Sequence, residues 1–290
     1  MPELPEVETI ARGVDARTRG DRIVEAWFSG HSEPFKTPPR QQAAGLEGRI
    51  IFHVHRTGKH LVCELGPASR LVDSSSIERD AAHEAQRPDA QWIVHLGMTG
   101  RLLVTTPDQP VAKHTHARLL LASGREIRFV DPRRFGRLEF RDLLGCAGFR
   151  GAGQEPLTVG AAAFAALFRG RRLAIKAALL NQTLLTGVGN IYADESLFRA
   201  GIRPRRQAGR LTKTELERLR LELINVLKHA IQLGGSSVSD YVDANGVRGF
   251  FQLEHFVYMR TGEACLRCGT PIKRILVAGR GTHYCPKCQR

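Results

Sequence analysis

The period of the hydrophobic pattern changes near residue 150. Ahead of that point, Val7, Ile10, Ala11 and Val14 recur at helical spacing from Glu6 and Gly20 follows as a stop, predicting a helix close behind the N-terminus. Eight short alternating or apolar runs come next: RIVEAWF, GRIIFHVH, HLVCEL, WIVHLGM, RLLVT, ARLLLA, EIRFV and RLEF. Gly, Pro and Ser clusters separate many of them, which predicts an antiparallel β-sandwich or barrel reaching to about residue 140. Beyond it, VGAAAFAALFRG, RRLAIKAALLNQTLL, NIYADESLFRAG and LTKTELERLRLELINVLKHAIQLG repeat every three or four residues and predict helices. The fold class is therefore α+β, with three expected divisions at 1–145, 146–255 and 256–290.

Two stretches interrupt this pattern. Between Leu65 and Trp92 the chain is polar and net negative, which reads as a solvent loop inserted between strands. GGSSVSDYVDANGVRGFFQ, following the last long helix, reads as a long mobile connection of the kind that often carries function.

Composition narrows the partner. Lys and Arg number 43 against 29 Asp and Glu, a net charge of +14, so a polyanion is expected: nucleic acid first, an anionic membrane surface second. No run of 18 apolar residues exists and the first 20 residues lack an apolar signal core, so a cytoplasmic protein without a membrane span is expected. Six cysteines in such a chain do not suggest a disulfide framework. Cys265 and Cys268, then Cys285 and Cys288, form two CxxC pairs sixteen residues apart. Each short turn presents two thiolates to a tetrahedron, so the spacing predicts one closed, structural zinc site; a redox role for either pair is the alternative. Cys63 and Cys146 read as small buried hydrophobes.

Four other places point to chemistry. Trimming Met1 would leave Pro2 as a secondary amine, partly unprotonated because α-amino groups titrate near pH ~8, and hence a nucleophile; a helix-entry proline is the plainer reading. TGVGN at 186–190 suits a turn whose amides face a phosphate, with Asn190 capping the next helix. HLGMTG and DPRRFGRL set Met98 and Phe135 in glycine-containing turns, Phe135 beside Arg133 and Arg134; singly they read as core residues, jointly as wedges for an opened base stack. Lys273, Arg274 and Arg280 bring positive charge to the zinc hairpin.

PELPEVE, TGKHL, HLGMTG, KHTHARL, DPRRFG, GVGNIYADESLF, GGSSVSDYV and RGTHYCPKCQ occur in this order over nearly the whole chain. Together they resemble the bacterial formamidopyrimidine-DNA glycosylases, whose family also includes endonuclease VIII. The resemblance implies an N-terminal helix and β-sandwich, then a helix-two-turn-helix domain with a four-cysteine zinc finger. It implies a monomer that binds double-stranded DNA containing oxidised bases, removes oxidised purines and cleaves the abasic site. Pro2 would be the nucleophile, Glu3 the general acid and base, Lys59 a contributor to β-elimination or phosphate positioning, and Arg280 a phosphate contact linked to δ-elimination. Lys176, Asn190, one of Arg171 or Arg172, and His95, His114 and His116 would hold phosphates. Met98, Arg133 and Phe135 would fill the gap left by the extruded base, and GGSSVSDYV would close over that base. Two rivals stay open: an endonuclease VIII-like enzyme for oxidised pyrimidines, and a non-catalytic zinc-ribbon DNA-binding protein. The insertion at 66–91, and Met259 where the family usually has glycine, depart from the pattern.

Overall fold

The computed structural model describes residues 1–67, 87–237 and 241–290. The solvent-loop reading of the insertion, apart from its ends, and the closing role of residues 238–240 lie outside the described residues. The chain forms two compact units, the first of Met1–Pro2, Glu6–Arg150 and Ser237–Gly249, the second of Glu3–Pro5, Gly151–Ser236 and Phe250–Arg290.

In the first unit all eight predicted runs become strands. They are β1 (Ile23–Phe28), β2 (Arg49–Thr57), β3 (His60–Pro67), β4 (Ala90–His95), β5 (Arg101–Thr105), β6 (Thr115–Leu121), β7 (Glu126–Val130) and β8 (Arg137–Asp142). Among the described residues they make two antiparallel four-stranded sheets, ordered β1-β6-β7-β5 and β2-β3-β4-β8. Alternation explains the packing: Leu61, Cys63 and Leu65 of β3 and Trp92 and Val94 of β4 face one core with Leu119, Ile127 and Phe129. Helix α1 (Leu4–Thr18) adds Val7, Ile10, Ala11 and Val14 to that core, the residues its periodicity selected.

Helix α2 (Pro39–Leu46) gave no periodic signal, because Gln42 and Leu46 are the residues it buries. Gln42 donates to Thr37 O (2.8 Å) and accepts from Trp92 Nε1 (3.1 Å), so an amide stands where a pattern search expects an apolar side chain. Part of the stretch read as a long mobile connection packs on the sandwich. Tyr241 and Ala244 are buried in the sandwich core, Val104 N donates to Ala244 O (3.1 Å), and Arg17 binds Asn245 Oδ1 (2.7 Å). Cys146 is exposed, unlike Cys63, so only the latter is a core residue.

The second unit holds α3 (Ala161–Phe168), α4 (Ile175–Leu180), α5 (Asn190–Arg199) and α6 (Lys213–Gln232), packed around Phe164, Phe168, Leu179, Tyr192, Leu197 and Leu223. Helix α6 starts on a capping box, with Thr212 accepting from Glu215 N and Glu215 accepting from Thr212 N. Helix α4 is shorter than its apolar run because Asn181 Oδ1 accepts from Thr183 N (2.9 Å) and Oγ1 (2.8 Å), a local turn that competes with further winding. Strands β9 (Lys273–Val277) and β10 (Arg280–Tyr284) form a hairpin on a two-residue turn, Ala278 (φ 49°) and Gly279 (φ 71°). Ahead of it, the buried Glu195 carboxylate accepts from the amides of Phe256 (3.0 Å), Val257 (2.9 Å) and Tyr258 (2.9 Å). Met259 then takes φ 60°, so the turn into the ribbon is kept with a side chain in a backbone region that favours glycine.

Candidate active site and nucleic-acid interface

Glu3 is nearly buried, at 5% exposure, and its carboxylate occupies the N-terminus of α5, accepting from Ile191 N (3.2 Å) and Tyr192 N (3.5 Å). Unpaired amides and the helix dipole favour an anion there. The chain is led to this point by Leu4 N donating to Gly187 O (3.0 Å), and the GVGN turn is braced by Gln182, which accepts from Gly187 N (2.9 Å) and donates to Val188 O (2.8 Å). Two expectations are corrected here. The helix amides face Glu3 rather than an open phosphate position, and Gly189, not Asn190, is the cap residue. Asn190 is the first helical residue, and its Nδ2 donates to Gly281 O (3.0 Å) on the zinc hairpin.

Lys176, which the resemblance makes a phosphate contact, is enclosed by protein in this structure. It is fully buried, and its Nζ meets Asp194 Oδ1 (2.7 Å), Thr282 Oγ1 (2.8 Å) and Gly281 O (3.1 Å). Burial pushes its pKa down, against the opposing pull of Asp194. The other oxygen of Asp194 accepts from His283 N (2.8 Å) and lies 3.2 Å from His283 Nδ1. Lys176, as placed, fastens the zinc hairpin to α4 and α5. Arg280 stands at the head of β10 with its side chain exposed. Arg171 and Arg172 are exposed ahead of α4, Arg171 Nε donating to Leu167 O (2.6 Å). Asp194 and His283 were not singled out in the sequence, where DES and THY carry no spacing that announces a shared partner.

The four cysteines converge as their spacing requires. Their sulfurs lie within 4.8 Å of one another, with Cys265 to Cys288 at 3.9 Å and Cys268 to Cys285 at 3.5 Å. A tetrahedral zinc about 2.3 Å from each thiolate separates them by about 3.8 Å, so the donor set fits one structural zinc ion. Cys265 and Cys285 pack beside Phe198, Val257 and Ile272, a core too small to hold the ribbon alone.

In the first unit, Pro2 is buried beside an exposed Met1. Lys59 sits in the two-residue turn joining β2 to β3, where Gly58 takes φ 61°, and is 9% exposed, unusually low for a lysine on a hairpin. His60, His95 and Arg137 stand opposite one another across β3, β4 and β8. They border a cavity of about 150 Å³ together with Lys36, Ile93 and Glu139. Burial, reinforced by His60 and Lys59, pushes His95 down to about 4. Gly97 N donates to His95 Nδ1 (3.2 Å), so Nε2 carries the proton and the neutral ring is a donor. His114 is exposed. His116 is buried, with Nδ1 3.1 Å from Ser29 Oγ and Nε2 3.1 Å from Asp131 O, so both ring nitrogens are engaged internally.

Met98 and Phe135 are 43% and 48% exposed, against the core reading of either alone. The Arg133 guanidinium lies 4.5 Å from the Phe135 ring centre. Their two turns touch: a side chain at Gly97 would lie 2.5 Å from the Phe135 carbonyl carbon and 2.6 Å from Gly136 N.

Family models match residues 1–138 (formamidopyrimidine-DNA glycosylase N-terminal domain), 152–242 (formamidopyrimidine-DNA glycosylase H2TH domain) and 262–290 (zinc finger found in FPG and IleRS). The formamidopyrimidine-DNA glycosylase of Solibacter usitatus is 42% identical over 290 residues, covering both chains completely. The chain belongs to the formamidopyrimidine-DNA glycosylase family. Among solved structures of family members, the Lactococcus lactis protein bound to DNA containing an oxidised pyrimidine matches both chains fully, with a TM-score of 0.82 at 34% identity. The same protein bound to N7-benzyl-Fapy-dG DNA matches equally, again with a TM-score of 0.82 and 34% identity. No described helix is long and apolar enough to cross a membrane.

Proposed function

We propose that this chain is a base-excision repair glycosylase that removes oxidised purines from duplex DNA and cleaves the resulting abasic site. The observation that carries the reading is the placement of Glu3, one residue from Pro2, on the amides that open α5, in a chain of this family. After trimming of Met1, the Pro2 amine attacks C1′ of the damaged nucleotide and the base leaves with a proton. The resulting iminium acidifies the C2′ protons; losing one expels the 3′ phosphate, and a second elimination expels the 5′ phosphate. Glu3 shuttles protons while the sugar ring opens. Lys59 and Arg280 act in these eliminations through the phosphates.

One of Arg171 or Arg172, together with Asn190, His95 and His114, holds the backbone, contacts that position without reading sequence. Lys176 and His116, both engaged internally, serve by fastening the zinc hairpin and the turn at Asp131. Met98, Arg133 and Phe135 fill the void left by the extruded base. The chain divides as 1–145, 146–255 and 256–290, works as a monomer in the bacterial cytoplasm, and is nucleoid-associated when bound to DNA. The Lactococcus lactis complex with oxidised-pyrimidine DNA favours a lesion range that also takes in pyrimidines. The test is borohydride reduction with lesion DNA, then mass analysis of the linked peptide. The adduct belongs on the Pro2 amine and disappears when that terminal amine is acetylated while DNA binding persists; undiminished trapping by the N-terminally acetylated protein eliminates Pro2 as nucleophile.

A further inference from the structure

Asp131 opens the DPRRFG turn, is completely buried, and is bonded to both turns that carry the exposed wedges. One carboxylate oxygen accepts from Thr99 Oγ1 (2.5 Å), next to Met98, and from Arg133 N (3.3 Å). The other accepts from Gly136 N (2.8 Å), next to Phe135. Its backbone is engaged as well: the amide donates to His114 O (2.9 Å), and the carbonyl accepts from Arg134 N (3.2 Å) and faces His116 Nε2. Arg134 takes φ 56°, a left-handed conformation that persists in a non-glycine residue only when its surroundings over-determine it.

We infer that Asp131 is a positioning residue that locks the Met98 turn to the Phe135 turn, so that the two apolar side chains enter an opened base stack as one unit. The inference rests on the proposed glycosylase function for its use, though not for its geometry. Ordering two side chains separately at the moment of insertion costs entropy that a preformed pair has already lost. Gly97, whose absent side chain lets the turns touch, makes the same junction from the other side. Three donors converge on one carboxylate, so an amide in its place sets an NH₂ against an N–H or an O–H.

Asp131→Asn and Thr99→Val test this in two ways. In the unliganded protein, amide hydrogen exchange should accelerate in residues 97–99 and 133–136 together in Asp131→Asn, and less in Thr99→Val. Parent-like protection in both turns of Asp131→Asn overturns the lock. In single turnover, the ratio of 8-oxoguanine excision to cleavage of a preformed abasic site should fall about tenfold, the scale of one lost hydrogen bond, because only the first substrate has a base to extrude. Equal loss on both substrates would mean a general structural role and overturn the proposal, as would no loss on either. If the parent excises no lesion, the glycosylase reading falls, and the exchange result alone decides the lock.

Discussion

Replacing Gly189 by alanine tests the placement of Glu3 without touching Glu3. Gly189 has φ −130°, which any residue adopts, so its glycine is required by proximity and not by backbone conformation. A Cβ there would lie 2.1 Å from Glu3 Cδ and 2.4 and 2.5 Å from its oxygens. The carboxylate must leave, losing its bonds to Ile191 N and Tyr192 N. A hydrogen bond to a charged group contributes about 1.5–3 kcal/mol and a helix terminus about 0.3–1 kcal/mol. Counting the 3.5 Å contact as weak, the displacement costs about 2–4 kcal/mol, equivalent to a rate loss of about 30- to 1,000-fold. Gly160→Ala is the matched control, since Gly160 also caps a helix but has nothing within 4 Å of its would-be Cβ. Single-turnover excision should drop in Gly189→Ala and not in Gly160→Ala, with duplex affinity retained in both. The double variant Glu3→Ala/Gly189→Ala should be no slower than Glu3→Ala alone. Parent-rate excision by Gly189→Ala would show that the carboxylate works from elsewhere.

Two further outcomes follow from zinc and from buried histidines. Chelation, or Cys268→Ser, should release one zinc per chain and weaken DNA binding, because the ribbon depends on metal for its folding free energy; unchanged affinity in a zinc-free protein would remove the ribbon from the interface. His95 and His255 are both held down at about 4, chiefly by burial, against about 6.5 in an unfolded chain. Between these values the unfolded state binds protons that the native state refuses, so this stability is fully present above pH ~6.5 and is lost as pH falls toward 4, by up to about 3 kcal/mol for each ring. Urea unfolding at pH 7.5 and 4.5 reads it: His255→Gln should lose less on acidification than the parent, and equal losses would refute the assignment.

The elements with a clean period were legible in the sequence because each side chain's fate follows from one face of one element. That is why all eight strands could be read directly. Helix α2 could not, since its buried positions include Gln42, whose partners Thr37, Trp92 and Leu138 come from elsewhere in the chain. The stretch GGSSVSDYVDANGVRGFFQ shows the same limit: Tyr241 and Ala244 lie in a run with neither helix nor strand period, and only the folded sandwich shows that they belong to its core.

The same distinction separates the site residues. Cysteine pairs announce themselves because a metal imposes local spacing, and Met98 and Phe135 because an apolar residue in a glycine turn is conspicuous. Lys176 is marked in the sequence only by the resemblance, as a phosphate contact; its three internal partners, and the purpose they give Asp194 and His283, are revealed by the fold and not by any spacing. Glu3 is the sharpest case. As a sequence position it is an acid beside a proline. Its position depends on amides at 191 and 192, which only the fold brings to it, and on Gly189, whose missing side chain is the space the carboxylate fills. The GVGN turn therefore fixes the carboxylate as firmly as its own chain does: the glycine admits it, and the helix behind supplies the field that holds it there.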